Sequence, residues 1–379
     1  MDGPIGGLNP FFLVMKTYRP PLLLIIFAFA FASSALAQSA QTLWVPARYS
    51  DEVAVIDTYA DQVVTQIAVG DFPIRIAITP DLSKAFISNG SSSSVSVLDT
   101  MTRTNIATIP VYRRPGELEV TPDGGRLFVL HQTNLGERCP VAVIDTATNE
   151  LITTVLLPGH GCKDILFTLD GRFAYVANTN FGEVNVINTT SYHVSSIITP
   201  GIPRRLCISP AGDRVYVTNN GNDSVSAIDT ATQQVIATIP VGQKPMGIAI
   251  TPNGQEVYAT NQKDGTVSVI DTTTLTVIAT IPTGHLCQRV VITHDGTKAF
   301  VQNGYSDTVS AIDTATHTVI ATLPVGHHPW AILGSPDDLK LYVCNATDTT
   351  VSVIDIPSLT VSATIADVGS APFDLAFGP

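Results

Sequence analysis

Charged side chains recur at one place in this sequence. Two residues past a recurring proline position stand Arg75, Glu117, Asp164, Arg205, Gly247, Arg289, Ala331 and Asp374, six of the eight charged. The residue before each adds Lys163, Arg204, Met246, Gln288, Trp330 and Phe373. Equivalent positions of a closed ring of repeats converge on its axis, so these side chains are expected at the mouth of a central channel. Two roles are open to them. They can pair between neighbouring repeats, Arg75 with Asp374 and Arg205 with Asp164, and neutralise the rim. Alternatively, the rim binds an anionic or polar ligand.

Histidines fall in the loops leading to the same positions: His160, His285, His327 and His328. Imidazoles suit zinc or copper, and His285 and His327 come from adjacent repeats. His160 lies four repeats from His327, across the ring, so no three-histidine site follows. No metal or other cofactor is expected, and His285 and His327 remain candidates for contacting a ligand at the mouth.

A second set of carboxylates recurs with an even ruler. An Ile-Asp-Thr element places Asp57, Asp99, Asp145, Asp229, Asp271, Asp313 and Asp355, with Asn188 once, at steps of 42, 46, 43, 41, 42, 42 and 42 residues. These acids follow the third strand of each repeat, away from the axis, and cannot converge on a metal. Asp before Thr reads as an Asx turn. The Asn that closes each second strand (Asn89, Asn178, Asn219, Asn261, Asn303, Asn345) is structural by the same reasoning.

The elements that carry these residues are short strands. In one repeat the apolar runs are 246–251, 256–260, 266–270 and 276–281, rich in Val, Ile, Thr and Tyr and of strand length. Pro-Asn-Gly, Asn-Gln-Lys-Asp-Gly and Pro-Thr-Gly separators supply turns. No run carries the 3.6-residue period of an amphipathic helix. A period of 40–45 residues with four strands per unit is the mark of a β-propeller of four-stranded antiparallel blades. Charged residues are 14% and hydrophobic ones 45% of the chain, as expected where each blade is covered on both faces.

The ends predict how the ring closes. The repeats start at Leu43 with a second-strand-like run, and the missing first strand stands at 371–377 (APFDLAF), which matches 244–250 (KPMGIAI). The C-terminal strand therefore pairs into the first blade, removing a sheet edge. Eight blades result, with seven the alternative.

Residues 1–37 read as an N-terminal extension followed by a secretory signal. Met15 is the expected true start, Lys16 and Arg19 the basic region, 22–31 the apolar core, and Ala35-Leu36-Ala37 the cleavage site before Gln38. The apolar run is too short to span a bilayer. A single propeller domain over 38–379 is expected in the periplasm, outside the cell or on its surface. The formal charge is −12. Because the leader carries Lys16 and Arg19 against Asp2, the chain without it stands at −13. An acidic chain without a basic run is poorly suited to a phosphate backbone, so no nucleic acid is expected.

Five cysteines are present. The 46-residue step marks an insertion, 133–140, that carries Cys139, and Cys162 lies in the loop before the next first strand. In an oxidising compartment these two form an expected disulfide. Cys207 sits in an apolar strand and reads as a buried thiol, while Cys287 and Cys344 are undecided.

Tyr216-Val217-Thr218-Asn219, with Tyr175-Val176-Ala177-Asn178, Tyr258-Ala259-Thr260-Asn261 and Tyr342-Val343-Cys344-Asn345, resembles the YVTN family of β-propeller repeat proteins over 42–379. That resemblance implies an exported or cell-surface propeller, frequently seven-bladed and often without known activity. The leading functional expectation is a non-catalytic binding or scaffold protein that takes a small molecule, cell-wall polymer or protein at the channel mouth. The chain is also similar to sugar-lactone hydrolases with sites at the channel. That similarity implies charge stabilisation and acid–base work by Arg205, Arg289, Glu117 and His285. A third reading is a subunit of a periplasmic redox complex. No C-x-x-C-H haem site, Walker loop, zincin motif or G-x-S-x-G elbow occurs.

Overall fold

The computed structural model describes residues 42–134 and 136–379. The leader, cleavage site and start expected over 1–37 lie outside the described residues. Within them the chain forms eight four-stranded antiparallel sheets and no helix. The expected eight-bladed propeller is the observed one.

The repeat over 245–282 is typical. β20 (Pro245–Ile250), β21 (Glu256–Asn261), β22 (Thr266–Asp271) and β23 (Thr276–Pro282) follow one another in sequence and in the sheet. The middle strands are buried almost throughout, because blades cover both of their faces. β23 alternates between exposed and covered residues, as an outermost strand must. A register break between Val269 and Ile270 displaces it, and Pro282 ends it. Bulge and proline both blunt the free edge against pairing with another chain.

Turn chemistry matches the residues that encode it. The Asp57 Oδ1 atom accepts from the backbone N–H groups of Tyr59 and Ala60 at 2.8 and 2.9 Å, an Asx turn. Asn188 does the same for Thr190 and Ser191. The Asn at the second strand's end ties two strands together. Asn219 Nδ2 donates to Ser224 Oγ and Ser226 Oγ on β18 (Ser224–Asp229). Lysines lock neighbouring blades: Lys84 Nζ donates to the Thr146 carbonyl at 2.6 Å, and Lys340 Nζ to the Thr58 carbonyl and Asp61.

The ring closes between its two ends. β32 (Ala376–Gly378) pairs with β1 (Thr42–Ala47), which continues into β2 (Glu52–Asp57) and β3 (Gln62–Ala68). A bridge joins Ala47 to Pro372, and Phe373 N donates to the Pro46 carbonyl. The Arg48 guanidinium is sandwiched between two rings, 3.3 Å from the Phe373 centroid and 4.7 Å from that of Phe72. A cation is attracted to the negative face of an aromatic ring, so Arg48 rivets the N-terminal strand to the C-terminal segment.

Candidate functional site

Seven innermost strands enter the channel: β4 (Pro73–Ile78), β8 (Pro115–Val120), β12 (Cys162–Phe167), β16 (Pro203–Ile208), β20, β24 (Cys287–Ile292) and β28 (Pro329–Gly334). The closure segment supplies the eighth position. Each of the seven carries a register break just after its first residue. Such a bulge re-aims side chains. It is why two successive residues, which would normally point to opposite faces, both reach the mouth. Amides freed by the break are taken up by the second strand: Arg75 N donates to Ser88 Oγ, Arg205 N to Thr218 Oγ1 and Gly247 N to Thr260 Oγ1. Gly247 also has to be glycine, since a Cβ there would meet the Gln288 carbonyl oxygen at 2.3 Å.

The second residues past the proline position form an ion-pair network. Arg75 Nε lies 2.8 Å from Glu117 Oε2. Arg205 Nη1 lies 2.9 Å from Asp164 Oδ1 and 3.2 Å from Glu117 Oε1. Arg289 stands 3.8 Å from Asp374 Oδ1. The expected pair of Arg205 with Asp164 forms. The expected pair of Arg75 with Asp374 does not: Arg75 turns to the next blade's Glu117, while Asp374 Oδ2 accepts from Ile76 N at 3.3 Å. Glutamate's extra methylene lets Glu117 bridge two arginines, a reach that aspartate lacks.

Electrostatics follow from this crowding. Burial disfavours the charged Glu117, but Arg75 and Arg205 outweigh it and hold its carboxyl at about 2. Burial, joined by Glu117, pushes the Asp164 carboxyl up against the pull of Arg205. Burial and the repulsion of Arg75 and Arg205 bring Arg289 down to about 10.

Glu119, two residues below Glu117, falls outside the positions that the sequence pattern picks out. Its side chain is exposed, and it faces the carboxylates of Glu117, Asp164 and Asp374. Burial, then Glu117, Asp164 and Asp374, raise its carboxyl to about 8. A signal for it is nevertheless present: four residues past the proline position the other repeats have Ala77, Leu166, Cys207, Ala249, Val291, Leu333 and Ala376. Glu119 is the one charged residue at that level.

Above the network lies a cavity of about 430 Å³, lined by Arg48, Arg75, Lys163, Arg204, Trp330 and Phe373 among others. A smaller cavity of about 210 Å³ on the Arg289 side takes in Asp164, Arg205 and Gly247. Both are within the channel mouth expected from sequence. His285 and His327 are not on either wall. His327 is exposed, with Nδ1 2.9 Å from Asp348 Oδ1, and His285 lies in the loop with its backbone N–H on Ser306 Oγ. Their loops carry them outward, so both leave the set of mouth residues. Among the described residues no group of His, Cys, Asp and Glu is arranged to hold a metal.

The Cys139–Cys162 disulfide forms. It ties β10 (Cys139–Asp145), at the end of the insertion, to the strand bearing Lys163 and Asp164. Cys287 and Cys344 are buried thiols, and Cys207 is a thiol that is only half-buried rather than fully enclosed.

The comparisons with known proteins agree with this architecture. Residues 141–277 match the lactonase, 7-bladed β-propeller family, and residues 249–357 the YNCE-like β-propeller family. The chain is a β-propeller. A seven-bladed β-propeller protein of Mycobacterium tuberculosis is 34% identical over 92 residues, which cover 22% of this chain and 23% of that protein. The chain thus matches under a quarter of that relative's length. Among solved structures, Kuenenia stuttgartiensis hydrazine synthase is 24% identical with a TM-score of 0.61, covering 75% of this chain and 95% of the other. The dihydro-heme d1 dehydrogenase NirN in complex with DHE is 14% identical with a TM-score of 0.75, covering 89% and 75%. A functionally unknown protein from Desulfotomaculum acetoxidans is 15% identical with a TM-score of 0.61, covering 89% and 99%. At these identities the shared property is the fold. The eight blades here are one more than the seven of the matched lactonase family.

Proposed function

We propose that this is an exported, non-catalytic propeller that binds an anionic small molecule at its channel mouth. One observation carries the reading: Lys163 and Arg204 line the mouth cavity without a carboxylate within ion-pair distance among the described residues. The Nε atom of Arg204 is buried without an acceptor. Burying an unmatched charge is costly, and a ligand anion removes that cost. The cavity volume falls within the range of small-molecule sites, roughly 300–1,000 Å³, which favours a small molecule over a polymer or protein.

The test is a thermal-shift screen of the mature protein against carboxylates, phosphates and sugars, repeated on the Lys163→Met/Arg204→Met double variant. A ligand at about a hundred times its Kd adds about 2.7 kcal/mol. Anions that stabilise the native protein but not the double variant support the reading. An unchanged response in the variant sinks it. Export is tested separately by N-terminal sequencing of the expressed full chain, which should begin at Gln38.

A second reading is a lactone hydrolase, favoured by the lactonase-family match over 141–277, a stretch that includes Asp164 and Arg205. Within that network Glu117 is held low by Arg75 and Arg205, which leaves it a weak general base. Lactone turnover that vanishes in an Arg205→Ala/Arg289→Ala variant would favour this reading over binding alone.

A further inference from the structure

The first residues past the proline position form a ring of their own, above the ion-pair network. In order around the mouth they are Phe373, Ile74, Gly116, Lys163, Arg204, Met246, Gln288 and Trp330. The ring is bipolar. In an eight-bladed ring, positions four blades apart face each other, so Lys163 stands opposite Trp330 and Arg204 opposite Phe373. One cavity includes all four.

Each pole has the properties of a recognition surface. At the basic pole, the two cations come from adjacent blades and sit among like charges: burial and then Arg204 lower the Lys163 ammonium, and burial and then Arg205 lower the Arg204 guanidinium. An arriving anion relieves that repulsion. At the other pole Trp330 stacks on Phe373, with centroids 4.8 Å apart and planes at 27°. Phe373 is also covered by Arg48. Trp330 stays half-buried, with only the edge-on His328 as a further ring neighbour among the described residues. Trp330 is thus the flat side chain of this pole that lines the cavity, while Arg48 and Arg75 lie on the Phe373 side. Between the poles Gly116 adds no side chain and Ile74 and Met246 add apolar ones.

Resting on the anion-binding reading above, we infer that the ligand is an aromatic or similarly flat conjugated carboxylate. It lies across the mouth with its acid group on Lys163 and Arg204 and its flat body against Trp330. A compact anion such as phosphate would satisfy one pole only. A neutral aromatic would leave the two cations unmatched.

The experiment is isothermal titration of the full mature protein with 2-naphthoate, cyclohexanecarboxylate, 2-naphthalenemethanol and inorganic phosphate. 2-Naphthoate should bind about fivefold or more tightly than cyclohexanecarboxylate, the excess expected of a stacked ring. Lys163→Met should weaken it by about tenfold or more, the size of a charge-assisted hydrogen bond. Trp330→Leu should remove the preference for naphthoate over cyclohexanecarboxylate, and a single cooperative melt shows that the variant is folded. If all the carboxylates and phosphate bind alike, the flat-carboxylate assignment is overturned while the anion site survives. If 2-naphthalenemethanol binds as well as 2-naphthoate, the basic pole has no role. If no anion binds, both readings fall together.

Discussion

Arg205 reaches past its own neighbour to Glu117, two blades away, at 3.2 Å, while keeping Asp164 of the adjacent blade at 2.9 Å. One guanidinium thus joins three blades beneath the mouth. Both contacts come from its Nη1 atom. Around the same ring Arg75 completes the hold on Glu117 from the other side.

Removing that hub should be expensive. Arg205→Met strands Asp164 and leaves Glu117 with Arg75 alone. We expect a loss of about 3 kcal/mol, the cost of breaking a largely buried pair, read from urea or thermal denaturation. Arg204→Met, one residue earlier, removes a guanidinium that has no acidic partner and a buried Nε without an acceptor, so it should leave stability unchanged or raise it. Equal effects in the two variants would contradict the division between network and binding residues.

Glu119 sets a pH dependence. Its folded carboxyl is raised to about 8, above the ordinary value of 4.5, so between these two pH values the folded state holds a proton that the unfolded chain has released. Stability from this group is fully present below the ordinary carboxyl value and declines as pH rises toward the folded one. Because the side chain is exposed, screening reduces the effect to roughly 1 kcal/mol. Glu119→Gln should flatten the stability profile over that window and be the more stable protein at its alkaline end. A variant whose profile parallels the native one would remove Glu119 as its source.

The disulfide should matter to stability and to the site. Reduction frees a loop spanning 23 residues and should cost about 2–4 kcal/mol, seen as a lower melting temperature in dithiothreitol. The Cys139→Ser/Cys162→Ser variant should be insensitive to the reductant. Insensitivity of the native protein would mean that the insertion is held without the bond.

Ring closure gives a further test. Deleting 371–379 removes β32, the Ala47–Pro372 bridge and one face of the Arg48 sandwich, and leaves β1 as an open edge. We expect loss of a single cooperative melt and a concentration-dependent tendency to associate. Retention of the native melt would mean that the other blade contacts suffice.

Much of this architecture is legible in the sequence because its signals are local and repeated. The Ile-Asp-Thr ruler, the four apolar runs and the match of 371–377 to 244–250 set strand count, blade count and closure without any long-range contact. The mouth positions follow from ring symmetry, and Cys139–Cys162 from an insertion adjoining a neighbouring loop. What escapes depends on side-chain reach. Adjacent repeats suggest Arg75 with Asp374, but one extra methylene lets Glu117 take both Arg75 and Arg205. His285 and His327 share the mouth's loops, yet left-handed backbone at Leu286 and His328 (φ 56° and 52°) lies between them and the channel strands. Glu119 sits one level below the positions that the proline spacing marks, at a height where every other repeat is apolar or small.

The two tryptophans report on different parts of the ring. Trp44 is fully buried at the closure, its Nε1–H donating to Thr42 Oγ1, whereas Trp330 lies in the mouth. At low ionic strength, where screening is weak, an anion site should gather iodide and repel caesium. Iodide should quench Trp330 fluorescence more strongly than caesium does, and the preference should disappear in Lys163→Met/Arg204→Met. Equal quenching by the two ions, or an iodide preference that survives in the double variant, would contradict an anion site built from Lys163 and Arg204.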